Sequence, residues 1–140
     1  MNLLQQAITI LLYFFLSLNG LSQNLIGKTD EEIKQYMKEN QKAMDYIKIL
    51  KNSAYNYLKY TDKDQMQTLI FFLNEESVCT GERLVCDKSL KAAKIKEMDS
   101  TYGKSGKNRW TDTKNGMDYI LELRDAEWTF NITIQQKEKL

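Results

Sequence analysis

The stretch Thr68–Asp87, TLIFFLNEESVCTGERLVCD, restricts the fold more than any other part of the chain. Its apolar run Leu69-Ile70-Phe71-Phe72-Leu73 lies in a segment, Gln65 to Leu73, between two polar turn signals, Thr61-Asp62-Lys63-Asp64 and Asn74-Glu75-Glu76. A run so short and so bounded reads as a strand. Side chains alternate across a strand, so one face carries Met66, Thr68, Ile70 and Phe72 and the other carries Leu69, Phe71 and Leu73. Both sets are largely apolar, which predicts a strand interior to the sheet and covered on both sides. Ser77 to Cys86 is expected to pair back against it, and the rest of the chain to pack around the two.

The 140 residues contain no proline and six glycines, which argues against linkers or disorder and for one ordinary domain. The first 22 residues stand apart because none of them is charged. A short polar start, an apolar run ending at Leu18, and Gly20-Leu21-Ser22 form the layout of a secretory signal peptide cleaved after Ser22. Leu3 to Leu18 is too short for the roughly 20 apolar residues that span a bilayer. No cysteine follows the run for lipid attachment. These features predict a mature domain over 23–140, secreted or periplasmic, with no stable membrane span after cleavage. Its 20 basic and 19 acidic residues balance, so there is no net field to draw in nucleic acid.

Thr29 with Glu32 three residues on is a capping box, so a helix is expected from Asp30 to about Asn40, buried through Ile33, Tyr36 and Met37, with Met44 a further candidate. Tyr46 to Leu50 reads as an edge strand, Lys51-Asn52-Ser53 as a turn, and Tyr55 to Thr61 as a tyrosine-rich strand. Asp87 or Ser89 can cap a second helix, Leu90 to about Tyr102, with Ala92, Ile95, Met98 and Tyr102 inward and Lys91, Lys94, Lys96 and Glu97 in water. Gly103 occupies the place of a left-handed C-cap, and Lys104 to Asn108 follows as a loop. Arg109 to Asp112 is a short strand. Asn115-Gly116 favours a type I′ hairpin. Met117 to Leu123 and Glu127 to Gln135 then alternate, the latter with Trp128, Phe130, Ile132 and Ile134 against Thr129, Asn131 and Thr133. The expected fold is two-layer α+β: an antiparallel sheet of about six to seven strands with two helices on one face, in the order α-β(3-4)-α-β3.

Chemistry is sparse. There is no histidine, which removes His-based triads, most zinc sites and the commonest general base at neutral pH. The acid groups Glu75/Glu76, Asp30/Glu31/Glu32 and Glu122/Asp125 fall at turns or a helix start, where capping and solvation account for them. No nucleophile elbow or phosphate loop is present, so no catalytic residue, cofactor or metal ligand is assigned.

Cys79 and Cys86 match no metal spacing. On one straight strand they would lie roughly 23 Å apart on opposite faces, and no disulfide could form. A tight turn at Glu82-Arg83 would instead make them cross-strand neighbours and allow one, worth about 2–3 kcal/mol. The apolar pattern favours a continuous strand, bulged near Gly81, with buried free thiols; the bridge is left open. The basic cluster Lys88, Lys91, Lys94, Lys96, Lys104, Lys107 and Arg109 reads as a solvated face more readily than as a polyanion site. Asn131-Ile132-Thr133 matches the glycosylation sequon. Tyr55, Tyr57, Tyr60 and Trp110, with Trp128, are the candidates for a binding surface, because exposed Tyr and Trp mark such surfaces.

Three features carry a family resemblance: Leu21-Ser22-Gln23 at the end of the signal, the opener Ile26-Gly27-Lys28-Thr29-x-x-Glu32-Ile33, and FFLNEESVC…LVCD followed by a short helix and a Trp-containing strand. In these the chain resembles small uncharacterised secreted or periplasmic proteins of Bacteroidetes-type bacteria. The opener is also similar to the first helix of small outer-membrane assembly lipoproteins and β-lactamase-inhibitor-like domains, although their lipidated cysteine is missing. The resemblance implies an address and a style of fold rather than a reaction. The combined expectation is an exported, non-catalytic binding or accessory domain whose partner is a protein or envelope component. A structural or assembly factor of the cell envelope is the alternative, and a small carboxylate- or cysteine-dependent enzyme comes third. The working surface is expected on the wet face of the last meander, Thr113 to Gln135, and on the Tyr55–Tyr60 strand.

Overall fold

The computed structural model of the chain describes residues 24–51 and 56–139. The signal segment and its cleavage position, the turn at Asn52-Ser53, and Tyr55 therefore lie outside the described residues.

Among the described residues the order is α1 (Asp30–Asn40), β1 (Met44–Lys51), β2 (Asn56–Asp62), β3 (Gln67–Leu73), β4 (Cys79–Asp87), a 3-10 turn (Lys88–Leu90), α2 (Lys91–Thr101), β5 (Gly103–Gly106), β6 (Arg109–Lys114), β7 (Met117–Asp125) and β8 (Thr129–Gln136). The strands form one antiparallel sheet in the order β1-β2-β3-β4-β8-β7-β6-β5. The chain thus uses one arrangement twice. A helix is followed by a four-stranded meander, and the two meanders join through their last strands, β4 and β8.

The α+β architecture with two helices and an antiparallel sheet is as expected, but the sheet has eight strands rather than six to seven. The added strand is β5. Gly103 does not end the helix in a left-handed turn; Tyr102 leaves α2 in extended conformation at φ −122° and ψ 159°, and the chain runs straight into the sheet edge. All four residues of β5 are exposed, so no alternation marks it in sequence.

The capping box forms as its residues dictate. Thr29 accepts from the Glu32 amide, and the Glu32 side chain accepts from the Thr29 amide. The segment before it runs beside the start of β4: Gly27 N–H donates to Cys79 O and Cys79 N–H to Lys28 O, both at 2.8 Å, and Asp30 N–H donates to Ser77 O at 3.0 Å. These bonds seat α1 on the sheet. At the second helix Asp87 caps the 3-10 turn through the Ser89 amide at 2.9 Å.

One face of the sheet meets the helices. A cross-strand row on that face runs Leu58, Phe71, Glu82, Ile134, Leu121, Trp110, and a second runs Tyr60, Leu69, Leu84, Ile132, Leu123. All are buried and, Glu82 apart, they form one cluster with Ile33 and Met37 of α1 and Met98 of α2. β3 is interior to the sheet, as its doubly apolar pattern requires. Among the described residues it is nevertheless covered on one face only. On the other, Ile70 and Phe72 are half-buried by sheet neighbours, and no described element lies over them.

Other expectations shift in detail. Met44 opens β1 instead of extending the helix stripe. Lys94 is buried, not wet, with its ammonium 3.5 Å from Glu97. Trp128 precedes β8 in a turn closed by Ala126 N–H to Thr129 O at 2.9 Å, and at 77% exposure it does not join Phe130, Ile132 and Ile134 in the core.

Candidate functional site

Alternation fixes what the uncovered face displays, because each strand that buries one set of side chains must present the other. Its first row runs Tyr57, Phe72, Gly81, Gln135, Ile120 and Thr111; its second runs Lys59, Ile70, Arg83, Thr133, Glu122 and Arg109. A third carries Thr61, Thr68, Val85, Asn131 and Arg124. The apolar residues cluster on β2, β3 and β4, where Tyr57, Ile70, Phe72 and Val85 are half-buried side by side. The Arg83 guanidinium sits 5.3 Å from the centre of the Phe72 ring, a cation–π contact at the middle of the patch. Toward β7 and β8 the face becomes polar, with Thr129, Asn131, Thr133 and Gln135, and Glu122 is bonded to Arg124 at 3.0 Å.

The structure separates the residues singled out for binding. Tyr57 lies on the open face. Tyr60 and Trp110 point the other way, at 4% and 0% exposure, and belong to the core. The Tyr60 ring packs edge-on against Phe71 at 6.1 Å, and burial pushes its hydroxyl up to about 12. Residues of one strand separated by an odd number alternate faces, so Tyr57 and Tyr60 could not share a surface. The wet face of the last meander is where it was expected. Sequence reasoning missed the contribution of Ile70, Phe72 and Arg83, since the doubly apolar run was taken as buried throughout.

The cysteines occupy one continuous strand and are free and buried. Phe72 pairs with Gly81 and Leu73 with Cys79, so Thr80 is an extra residue in a β-bulge. The bulge turns Cys79 onto the same buried face as Cys86, and roughly 23 Å of strand separates them, so they form no bridge. Burial pushes Cys79 up to about 12 and Cys86 to about 11, with the Glu82 charge adding to the effect at Cys79. A thiol so raised is protonated at neutral pH and a poor nucleophile.

Glu82 and Tyr102 lie near each other on the helix-covered side of the sheet. Glu82, 2% exposed, accepts from the Leu25 amide. The Tyr102 hydroxyl is pushed up to about 12, first by burial and then by the charges of Asp112 and Glu82. Beside α1 a cleft of about 630 Å³ opens over Leu25 and Tyr36. Its charged rim is already paired within the chain: Glu32 with Lys28 at 3.5 Å, Glu31 with Lys34 at 3.4 Å, Glu39 with Gln35, and Lys114 with Asn24 O at 2.6 Å. The first three are local pairs along α1, and the last ties the N-terminal segment to β6. They do not set a base against a nucleophile. Among the described residues no group of three or more Cys, Asp or Glu could hold a metal ion, and no helix is long and apolar enough to cross a membrane.

No family model matches the chain, and no curated protein or solved structure is significantly similar to it.

Proposed function

We propose that this chain is an exported, non-catalytic binding domain that acts through the open face of its sheet on a protein or envelope component. The observation behind the reading is the juxtaposition of Tyr57, Ile70, Phe72 and Val85 on a face that no described element covers. Burying this apolar area against a partner is favourable by about 25 cal/mol per Å². A partner-binding sheet face is a sufficient reason for a strand to be apolar on both sides. The export part of the reading rests on the uncharged apolar segment before Ser22.

The test has two arms. N-terminal sequencing of the protein recovered from periplasm or medium should begin at Gln23; recovery only from the cytoplasm would sink the address. Crosslinking in intact cells with wild type and with Ile70→Asp/Phe72→Asp should give a defined adduct that only the wild type forms. An adduct indifferent to both substitutions would sink the surface.

A second reading, a structural factor that assembles with itself, is favoured by one observation. β1 is a sheet edge, and Tyr46 and Ile47 on it are 47% and 50% exposed. Edge strands offer unpaired backbone groups to another strand. Light scattering across a concentration series separates the two, with growth in mass supporting assembly.

A further inference from the structure

We infer that the open face takes an acidic, extended polypeptide segment, anchored by an apolar side chain over Phe72 and Ile70 and held by its carboxylates on Lys59 and Arg83. The inference rests on the proposed reading of this face as the working surface and names the chemistry of its partner.

Charge is distributed unevenly across the face. Lys59 and Arg83 flank Ile70 directly, one on each side, in the row Lys59, Ile70, Arg83. Between them and around them, the open-face positions of β2 and β3 are Tyr57, Thr61, Thr68 and Phe72, none acidic; on the open face of β4 the first acid is Asp87, at the strand's end, and on β1 it is Asp45, opposite Thr61. Among the described residues neither cation has a carboxylate within ion-pair distance, whereas Glu122, the nearest acid along the row, is taken by Arg124. Two cations held about one strand spacing either side of an apolar residue suit a chain that presents an acid, an apolar group and an acid. Arg83 is also pre-positioned by its contact with Phe72, so less of its freedom is lost on pairing.

Gly81 adds a second feature. It lies on the open face between Phe72 and Gln135, and its φ is not in the left-handed region. A Cβ there would come no closer than 3.4 Å to Ile134 O and 3.9 Å to the Phe72 ring, which is ordinary contact. Neither conformation nor packing demands a glycine. What the missing side chain leaves is a dent beside Phe72, at a place where another backbone can approach the sheet.

The test is selection of random linear peptides by phage display against the immobilised full chain, followed by fluorescence anisotropy of the selected peptides. The expected peptides carry Asp or Glu two residues before and two residues after an apolar residue, so that all three face the sheet. Their affinity should fall about tenfold on raising salt from about 0.05 M to about 0.5 M. It should fall at least about tenfold in Lys59→Glu/Arg83→Glu, as expected for two lost pairs and two like-charge contacts. Gly81→Val should weaken binding while leaving circular dichroism and the thermal midpoint unchanged. Selected peptides that lose binding in Phe72→Asp yet show no acidic bias would overturn this inference and keep the face as the binding surface. Peptides indifferent to all of these substitutions would overturn both. A single-stranded oligonucleotide that bound more tightly than the acidic peptides, through the same two cations, would make the patch a nucleic-acid site and overturn the inference.

Discussion

The indole Nε1 of Trp110 donates a 2.9 Å hydrogen bond to Asp99 of α2, tying the second helix to the β6 side of the sheet. The ring itself is fully buried, while the other tryptophan, Trp128, is 77% exposed. Trp110→Ala should therefore cost about 3–5 kcal/mol, the usual penalty for emptying a large aromatic site. Asp99→Ala should cost about 1 kcal/mol by stranding the indole N–H. Trp128→Ala should stay within about 0.5 kcal/mol. Urea unfolding of the three variants measures this ranking. Acrylamide should quench wild type strongly and Trp128→Phe weakly, because only Trp110 then emits.

The two cysteines should make stability fall at alkaline pH. Their folded values stand at about 12 and about 11, against 9.0 for the unperturbed thiol, and burial is the first cause of both. The group is thus harder to ionise folded than unfolded. Its contribution is complete below the unfolded value and is lost as the pH rises from about 9 through the folded values. Stability measured between pH about 8 and about 11 should decline, and Cys79→Ala/Cys86→Ala should flatten that decline. In native protein at pH about 8 a thiol reagent should modify neither side chain, and after unfolding it should modify both. Prompt labelling of the native state would contradict the burial.

Thr29 and Glu32 announced α1 to the residue, because a capping box is local chemistry. Asn115-Gly116 announced the β6–β7 hairpin in the same way, and both residues adopt the positive φ that a type I′ turn needs. β5 was silent, since Gly-Lys-Ser-Gly at an exposed edge buries nothing that could show a period. The coverage of β3 was undecidable from β3 itself. An apolar face covered by a helix and one left open for a partner have the same sequence signature. Trp128 misled because it continues the alternation of Phe130 and Ile132 by two residues, past the point where the turn at Ala126 ends the pairing.

The capping box carries an acid-side prediction. The Thr29 amide and hydroxyl hold the Glu32 carboxyl below its usual 4.5, with a smaller contribution from Lys28. A depressed folded value stabilises above the unfolded value and is lost as the pH falls through the folded one. Glu32→Gln should accordingly be less stable than wild type at neutral pH, and the gap should close below pH about 4.5. Thr29→Ala should cost about 1 kcal/mol. Thermal melts at pH about 7 and about 3 test both statements, and a gap that widened in acid would refute the assigned cause.

Glu82 offers a way to separate a hydrogen bond from a charge. Its carboxylate accepts from the Leu25 amide, and its charge raises both Cys79 and Tyr102 in addition to the larger effect of burial. Glu82→Ala removes acceptor and charge together and leaves a buried amide without its acceptor, at a cost of about 1–3 kcal/mol. Glu82→Gln keeps an acceptor and loses only the charge. Hydrogen exchange at the Leu25 amide should therefore speed up markedly in the alanine variant and little in the glutamine variant. The alkaline titration of Cys79 should move down in both, by similar amounts, because the charge is gone in each. Exchange equally slow in the two variants would mean that the Glu82 acceptor is not what protects the Leu25 amide. In that case the seating of Leu25 beside β4 would rest on the Gly27–Cys79 and Cys79–Lys28 backbone bonds.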